Sequence, residues 1–150
     1  MTRIIPNLSV DCVIFGFDLK KLNVMLTERE LWDESNPSKL IFKDYTLQGH
    51  HVLENENLDD AAKRILKDKT GLDNIYLEQF YTFGNIDRLS KHKDLIWKES
   101  VGLNIPNQVI SVGYYSLVDC EKVFPDELHQ TSKWFPVDKL PELGFDHDKI

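Results

Sequence analysis

Between Gly49 and Leu72 the chain reads GHHVLENENLDDAAKRILKDKTGL, crowding imidazoles, carboxylates and basic groups into one short stretch. His50 and His51 precede Glu56, Arg64 follows Glu56 by eight residues, and Asp68 and Lys69 come four and five residues after Arg64. Chemistry at a diphosphate calls for Mg²⁺ held by several hard oxygen ligands, because the cation must take up charge on the phosphoryl oxygens. The carboxylates of this stretch are interleaved with groups that cannot hold such a cation. Ile65 offers no ligand, Asp68 is one short carboxylate, and the ammonium of Lys69 repels a cation. His50 and His51 are of a type that binds transition metals, yet adjacent side chains point apart and no third ligand is evident. Lining a pocket or facing solvent is the expected role for both.

A helix must carry these groups. Leu58, Ala61, Ala62, Ile65 and Leu66 recur at i, i+3, i+4, i+7 and i+8, which predicts a helix over Leu58–Lys69 with one apolar stripe. Asn57 is the expected N-cap, Asp59 and Asp60 suit the positive end of the helix dipole, and Gly71 supplies the stop. Ile65 falls in the middle of the stripe, where packing alone selects it. Arg64 and Asp68 are an i, i+4 pair on the adjacent face.

Around the helix, β-branched and aromatic runs predict strands at Ser9–Phe17, Leu22–Glu28, Tyr45–Leu47, Ile75–Phe83, Val109–Val118 and Trp134–Val137. Leu31–Asp44 and Leu89–Asn107 read as loops with apolar islands at Leu40–Phe42 and Leu95–Trp97, and the final PELGFDHDKI reads as the start of a helix. Strands on both sides of one well-capped helix make the class α+β.

The 150 residues are read as a single domain spanning 1–150, long enough for a sizeable core. A formal net charge of −7 argues against nucleic acid as a direct partner, since that affinity rests on Lys and Arg at phosphates. No apolar run approaches the ~20 residues of a membrane span, and no signal peptide is visible. Cys12 and Cys120 lack metal spacing, which fits a reduced, cytoplasmic protein with no membrane partner.

Glu56, Ala61–Ala62, Arg64 and Thr70–Gly71–Leu72, with Gly49 and Val52 before them, resemble the Nudix box, G-x5-E-x7-R-E-U-x-E-E-x-G-U. The resemblance implies the Nudix fold, a mixed β-sheet sandwiched between helices. Its departures are His50 at the family's glycine, Ile65 at the glutamate after the arginine, and Asp68–Lys69 at the final acidic pair. Active members hold divalent metal on those three glutamates. The degenerate box therefore implies no catalytic residue, no metal and no cofactor. Mg²⁺ enters only under the alternative of a divergent hydrolase of a nucleoside diphosphate derivative such as ADP-ribose, working through Glu56, Asp68 and residues outside the box. Glu56 is equally well explained as a brace for the loop through Arg64.

Outside the box, VDCVIFGFD (Val10–Asp18), LTER (Leu26–Arg29), TFGNIDR (Thr82–Arg88), VISVGYYSLV (Val109–Val118) and WFPVDKLPELGFDHDKI resemble Nudix-like transcriptional regulators of the NrtR type, which sense ADP-ribose, and the AraR type, which sense arabinose. This implies a non-catalytic sensor domain for a small-molecule effector, expected as a homodimer. DNA would be contacted only through a C-terminal winged helix-turn-helix lying outside these residues. The segment LSKHKDLIWKESVGLNIPN is longer than the family carries, and its Trp97 is a candidate pocket cap. An effector without a metal must be held by hydrogen bonds, charge and stacking. Candidates are Asp11, Arg29, Tyr45, Phe83, Asp87, Arg88, Asp146 and His147, with Tyr114–Tyr115 as further ring surface. Arginine suits a diphosphate through its bidentate fork, whereas a sugar would use Asp and aromatic faces. Asp11, inside an apolar strand, needs a partner, either a sugar hydroxyl or Arg29. An interaction module with no small ligand is the third reading.

Overall fold

The computed structural model describes residues 2–102, 105–123 and 131–150. Along these residues run β1 (Ile4–Phe17), β2 (Leu22–Trp32), β3 (Leu40–Thr46), β4 (Gln48–Leu53), α1 (Leu58–Thr70), β5 (Glu78–Phe83), α2 (His92–Ser100), β6 (Ile110–Asp119) and β7 (Ser132–Pro136). The strands form one sheet in the order β3-β2-β1-β6-β5, with β4 joined to β1 and β7 to β2. Among the described strands β1–β6 pairs in parallel and the other pairings are antiparallel, so the sheet is mixed.

Strand β1 organises the molecule because both its faces are buried. Val10, Cys12 and Ile14 join one core with Val52 and the stripe Ala61, Ala62, Ile65 and Leu66 of α1. Val13, on the opposite face, joins a second core with Val24, Leu26, Leu47 and Leu143. Strict alternation in the strand thus meets the 3.6-residue period of the helix on one side and the C-terminal segment on the other. Ile65 is fully buried, and burying such a side chain stabilises the fold by about 1.5–3 kcal/mol.

A fork in the sheet follows from the register. Residues Phe15–Phe17 of β1 pair with Leu22–Val24 of β2, but beyond that point the two strands part. β1 takes β4 as its partner over Ile4–Cys12, and β2 takes β3 over Thr27–Trp32. Leu47 lies between β3 and β4, spanning the fork.

Helix α1 ends one residue later than its pattern predicts, and Gly71 at φ 76° stops it by donating its N–H to the Lys67 carbonyl. Asn57 holds the N-cap place, but its side chain donates to the Asp60 carboxylate (3.1 Å) rather than capping the backbone. Several segments differ from expectation: β1 begins at Ile4, β4 was not among the expected strands, and residues 75–77 lie outside β5. The presumed loop Leu31–Asp44 contains the start of β3, because β2 supplies the partner that a three-residue apolar island could not reveal. Leu89–Asn107 contains α2, while Leu103 and Asn104 lie outside the described residues. The terminal FDHDKI forms only a 3₁₀ turn at His147–Lys149. Among the described residues no helix is long and apolar enough to cross a membrane.

Candidate functional site

The fork opens into a cavity of about 340 Å³, at the lower end of the range for small-molecule sites. Asp11 of β1 and Arg29 of β2 form its two sides. Gly49, His50 and His51 of β4 and Lys69 of α1 form the wall nearest the box. Trp97 and Lys98 of α2, with Phe145 and His147 of the C-terminal segment, close the remainder.

Arg29 is buried, and its fork is already occupied. Nε and Nη2 donate to Asp44 at 2.8 and 2.7 Å, and Nη2 also donates to Asp94 Oδ1 of α2 at 2.7 Å. The guanidinium lies over the rings of Phe42, Trp97 and Phe145, 5.0, 5.1 and 4.5 Å from their centroids. Burial works to lower the arginine's pKa, but Asp44 and Asp94 outweigh it and hold the pKa above its usual value. Among the described residues Nη1 has no hydrogen-bond partner. Asp94 Oδ1 also accepts the Phe145 N–H (3.1 Å), and Phe145 sits at φ 54°, a strained conformation for a bulky residue. The preceding Gly144 has no room for a side chain, since a Cβ there would lie 2.6 Å from Arg29 Nη2.

A second buried network centres on Asp11. It accepts from the Ser111 hydroxyl, lies 3.3 Å from His147 Nε2, and is 3.7 Å from Arg88 Nη2. His147 Nδ1 accepts the Leu47 N–H at 2.9 Å, so the ring proton belongs on Nε2, facing Asp11. Burial pushes the Asp11 carboxyl up, and His147, Ser111 and Arg88 together bring it below the usual carboxylate range. Arg88 donates from Nε to Asp146 (3.1 Å) and from Nη1 to the Val109 carbonyl (3.0 Å). Opposite Asp11 in the ladder stands Gly49, where any Cβ would collide with the Asp11 carboxylate.

In the stretch before and along α1, Arg64 grips Glu56 with both arms, Nε at 2.6 Å and Nη2 at 3.0 Å, and Nη2 also donates to the His51 carbonyl (3.1 Å). Glu56 in turn accepts the Leu53 N–H (3.0 Å). This pair ties the turn after β4 to the helix.

No protein-family model matches the chain. The ADPR-responsive transcriptional repressor NtrR of Acinetobacter baylyi is 26% identical over 151 residues, covering 97% of this chain and 51% of the repressor. The chain therefore spans about half the length of the curated relative it matches. The Nudix domain of Shewanella oneidensis NrtR, solved in complex with ADP-ribose, is 25% identical with a TM-score of 0.66, over 95% of this chain and 81% of that one. A MutT/Nudix family protein from Listeria innocua shares the fold at a TM-score of 0.68 and 23% identity, over 94% of this chain and 86% of that one. The fold is the Nudix fold. Within it, the chain resembles the Nudix-like effector domain of NrtR-type regulators.

The Nudix box of this chain does not fit a divalent metal. Ile65 is sealed in the core, Lys69 brings an ammonium to the cavity wall, and the Asp68 side chain is 64% exposed beside Arg64. Among the described residues no three His, Cys, Asp or Glu side chains converge as a ligand set.

Of the candidates named from sequence, Asp11, Arg29, Arg88 and His147 line the cavity, and so do His50 and Lys69 of the box. Asp146 is buried behind them against Arg88. Tyr45 packs on Phe135 in the second core (4.8 Å between centroids), Phe83 stacks with Phe80 and Tyr81, and Asp87 belongs to an exposed turn. Tyr114 is core, with its hydroxyl donating to Asp59, and Tyr115 faces outward. Asp11 is satisfied by Ser111, His147 and Arg88 rather than by Arg29. Asp94 and Phe145 carried no signal of their own in the sequence, although Phe145 adjoins the Asp146–His147 pair.

Proposed function

We propose that this chain is the effector-binding domain of an NrtR-type transcriptional regulator, and that it binds a small ADP-ribose-like or sugar ligand without cleaving it. One observation carries the reading. The box helix keeps its bracing pair, Glu56 and Arg64, and closes one wall of a cavity with Lys69 where a hydrolase needs a carboxylate. The relatives support the effector class, since the Shewanella domain was solved with ADP-ribose and the Acinetobacter relative is an ADPR-responsive repressor. In the regulator as a whole, DNA is read by a separate domain, the assembly is a homodimer in the cytoplasm, and the effector acts by favouring one arrangement of that dimer.

The test is thermal unfolding with ADP-ribose or L-arabinose, followed by chromatography of the ligand after incubation with Mg²⁺. A ligand at a hundred times its Kd stabilises a folded domain by about 2.7 kcal/mol, or roughly 5–10 °C at this size. One of the two should raise the melting temperature and be recovered intact. Turnover that Asp68→Ala abolishes would instead establish a hydrolase, and a flat response to both ligands would leave an interaction module.

A further inference from the structure

We infer that Lys69 stands in for the metal of the Nudix box, binding a phosphate group of the ligand directly, so that the cavity takes an organic phosphate or diphosphate with no divalent cation between. The inference rests on the reading of the cavity as an effector site and adds the chemical class of the effector.

Four cationic side chains line the cavity, and three are engaged. Arg29 is held by Asp44 and Asp94, Arg88 by Asp146 and the Val109 carbonyl, and Lys98 donates to the Pro106 carbonyl at 3.3 Å. The Lys69 ammonium makes no hydrogen bond among the described residues, and only the neighbouring Asp68 carboxylate acts on it through space. Beside it stands His50, exposed at the mouth of the cavity. An ammonium without a hydrogen-bond partner in a partly desolvated wall carries an electrostatic penalty that an anion would remove. Burial lowers the pKa of Lys69 against the opposing pull of Asp68.

A neutral sugar would leave that penalty in place. A phosphate would end it with charge-assisted hydrogen bonds, and an ammonium, as a compact charge with three donors, suits tetrahedral oxygens approaching from one side. Lys69 occupies the place of a metal-ligating glutamate in the box. The charge at that position is inverted, so the attraction once relayed by a cation becomes direct.

Calorimetric titration of the chain with inorganic pyrophosphate, ADP-ribose and L-arabinose, all in EDTA, tests this on the wild type, Lys69→Gln and Lys69→Arg. The expected result is binding of pyrophosphate and ADP-ribose without metal, weakened about tenfold or more by Lys69→Gln and largely restored by Lys69→Arg. Melting without ligand should be unchanged or raised in both variants, which separates lost binding from lost folding. ADP-ribose binding that needs Mg²⁺, or is indifferent to Lys69→Gln, would overturn the inference and leave the effector site standing. Arabinose binding with no response to pyrophosphate would do the same. Pyrophosphate binding that depends on Lys69 with no organic ligand bound would support the anion site against the effector reading. No binding by any probe would overturn both.

Discussion

The Glu56–Arg64 pair shows how much of a catalytic motif is structural. Both partners are mostly shielded, with side chains 14% and 26% exposed, and the pair spans the turn that leads into α1. The Arg64 hydrogen bonds are the largest influence on the Glu56 carboxyl and hold it below its ordinary value of 4.5. A carboxylate with a depressed folded pKa contributes its full stability above 4.5 and loses it as pH falls through the folded value. Glu56→Gln should therefore cost roughly 1.5–3 kcal/mol at neutral pH in urea unfolding, and the deficit against the wild type should shrink below pH 4.5. The arginines were harder to read. Arg29 and Arg88 have the composition of diphosphate grips, but Asp44, Asp94 and Asp146 occupy them from 15, 65 and 58 residues away. A sequence displays the charge of an arginine, whereas its partner is a matter of distance in space.

Helix α2 illustrates the same limit one level up. Its buried or cavity-lining positions include Asp94, Trp97 and Lys98, at i, i+3 and i+4, the spacing of an amphipathic helix. Two of the three are charged, however, and Leu95 points outward, so the segment looks irregular when hydrophobicity is the guide. What docks the helix is the fully buried Asp94, which binds Arg29 and the Phe145 N–H, aided by Trp97 edge-on to Phe42. Removing Asp94 leaves the buried Arg29 with Asp44 alone and the Phe145 N–H without its acceptor. Asp94→Ala should cost about 3–5 kcal/mol, and hydrogen exchange should show lost protection in α2 and in residues 143–147. Protection in α1, whose stripe packs independently of this network, should fall only by the global loss. The Leu40–Asp44 part of β3 was read as loop for a related reason, because its stability comes from the ladder with β2 rather than from its own short apolar run.

At the level of the whole molecule, the net charge of −7 separates ligand binding from DNA binding. Without a surplus of Lys and Arg to displace counterions, the chain should give no shift of a duplex oligonucleotide even at low salt, with or without ADP-ribose. A salt-sensitive shift would place DNA contacts within these residues and contradict the separate-domain reading. The α+β class, the span of α1 to within a residue and, as one of two readings, the bracing role of Glu56 were legible before any coordinates. The last two are written in spacing within about two dozen neighbouring residues, where helix period and capping act locally, whereas the class rests on strand patterns along the chain. The cavity was not legible in that way. It exists because β1 and β2 part beyond Val24, and because buried charges from β2, β3, α2 and the C-terminal segment find one another across the fork. Those pairings depend on which groups packing brings within hydrogen-bond reach, and no local pattern in the chain encodes that proximity.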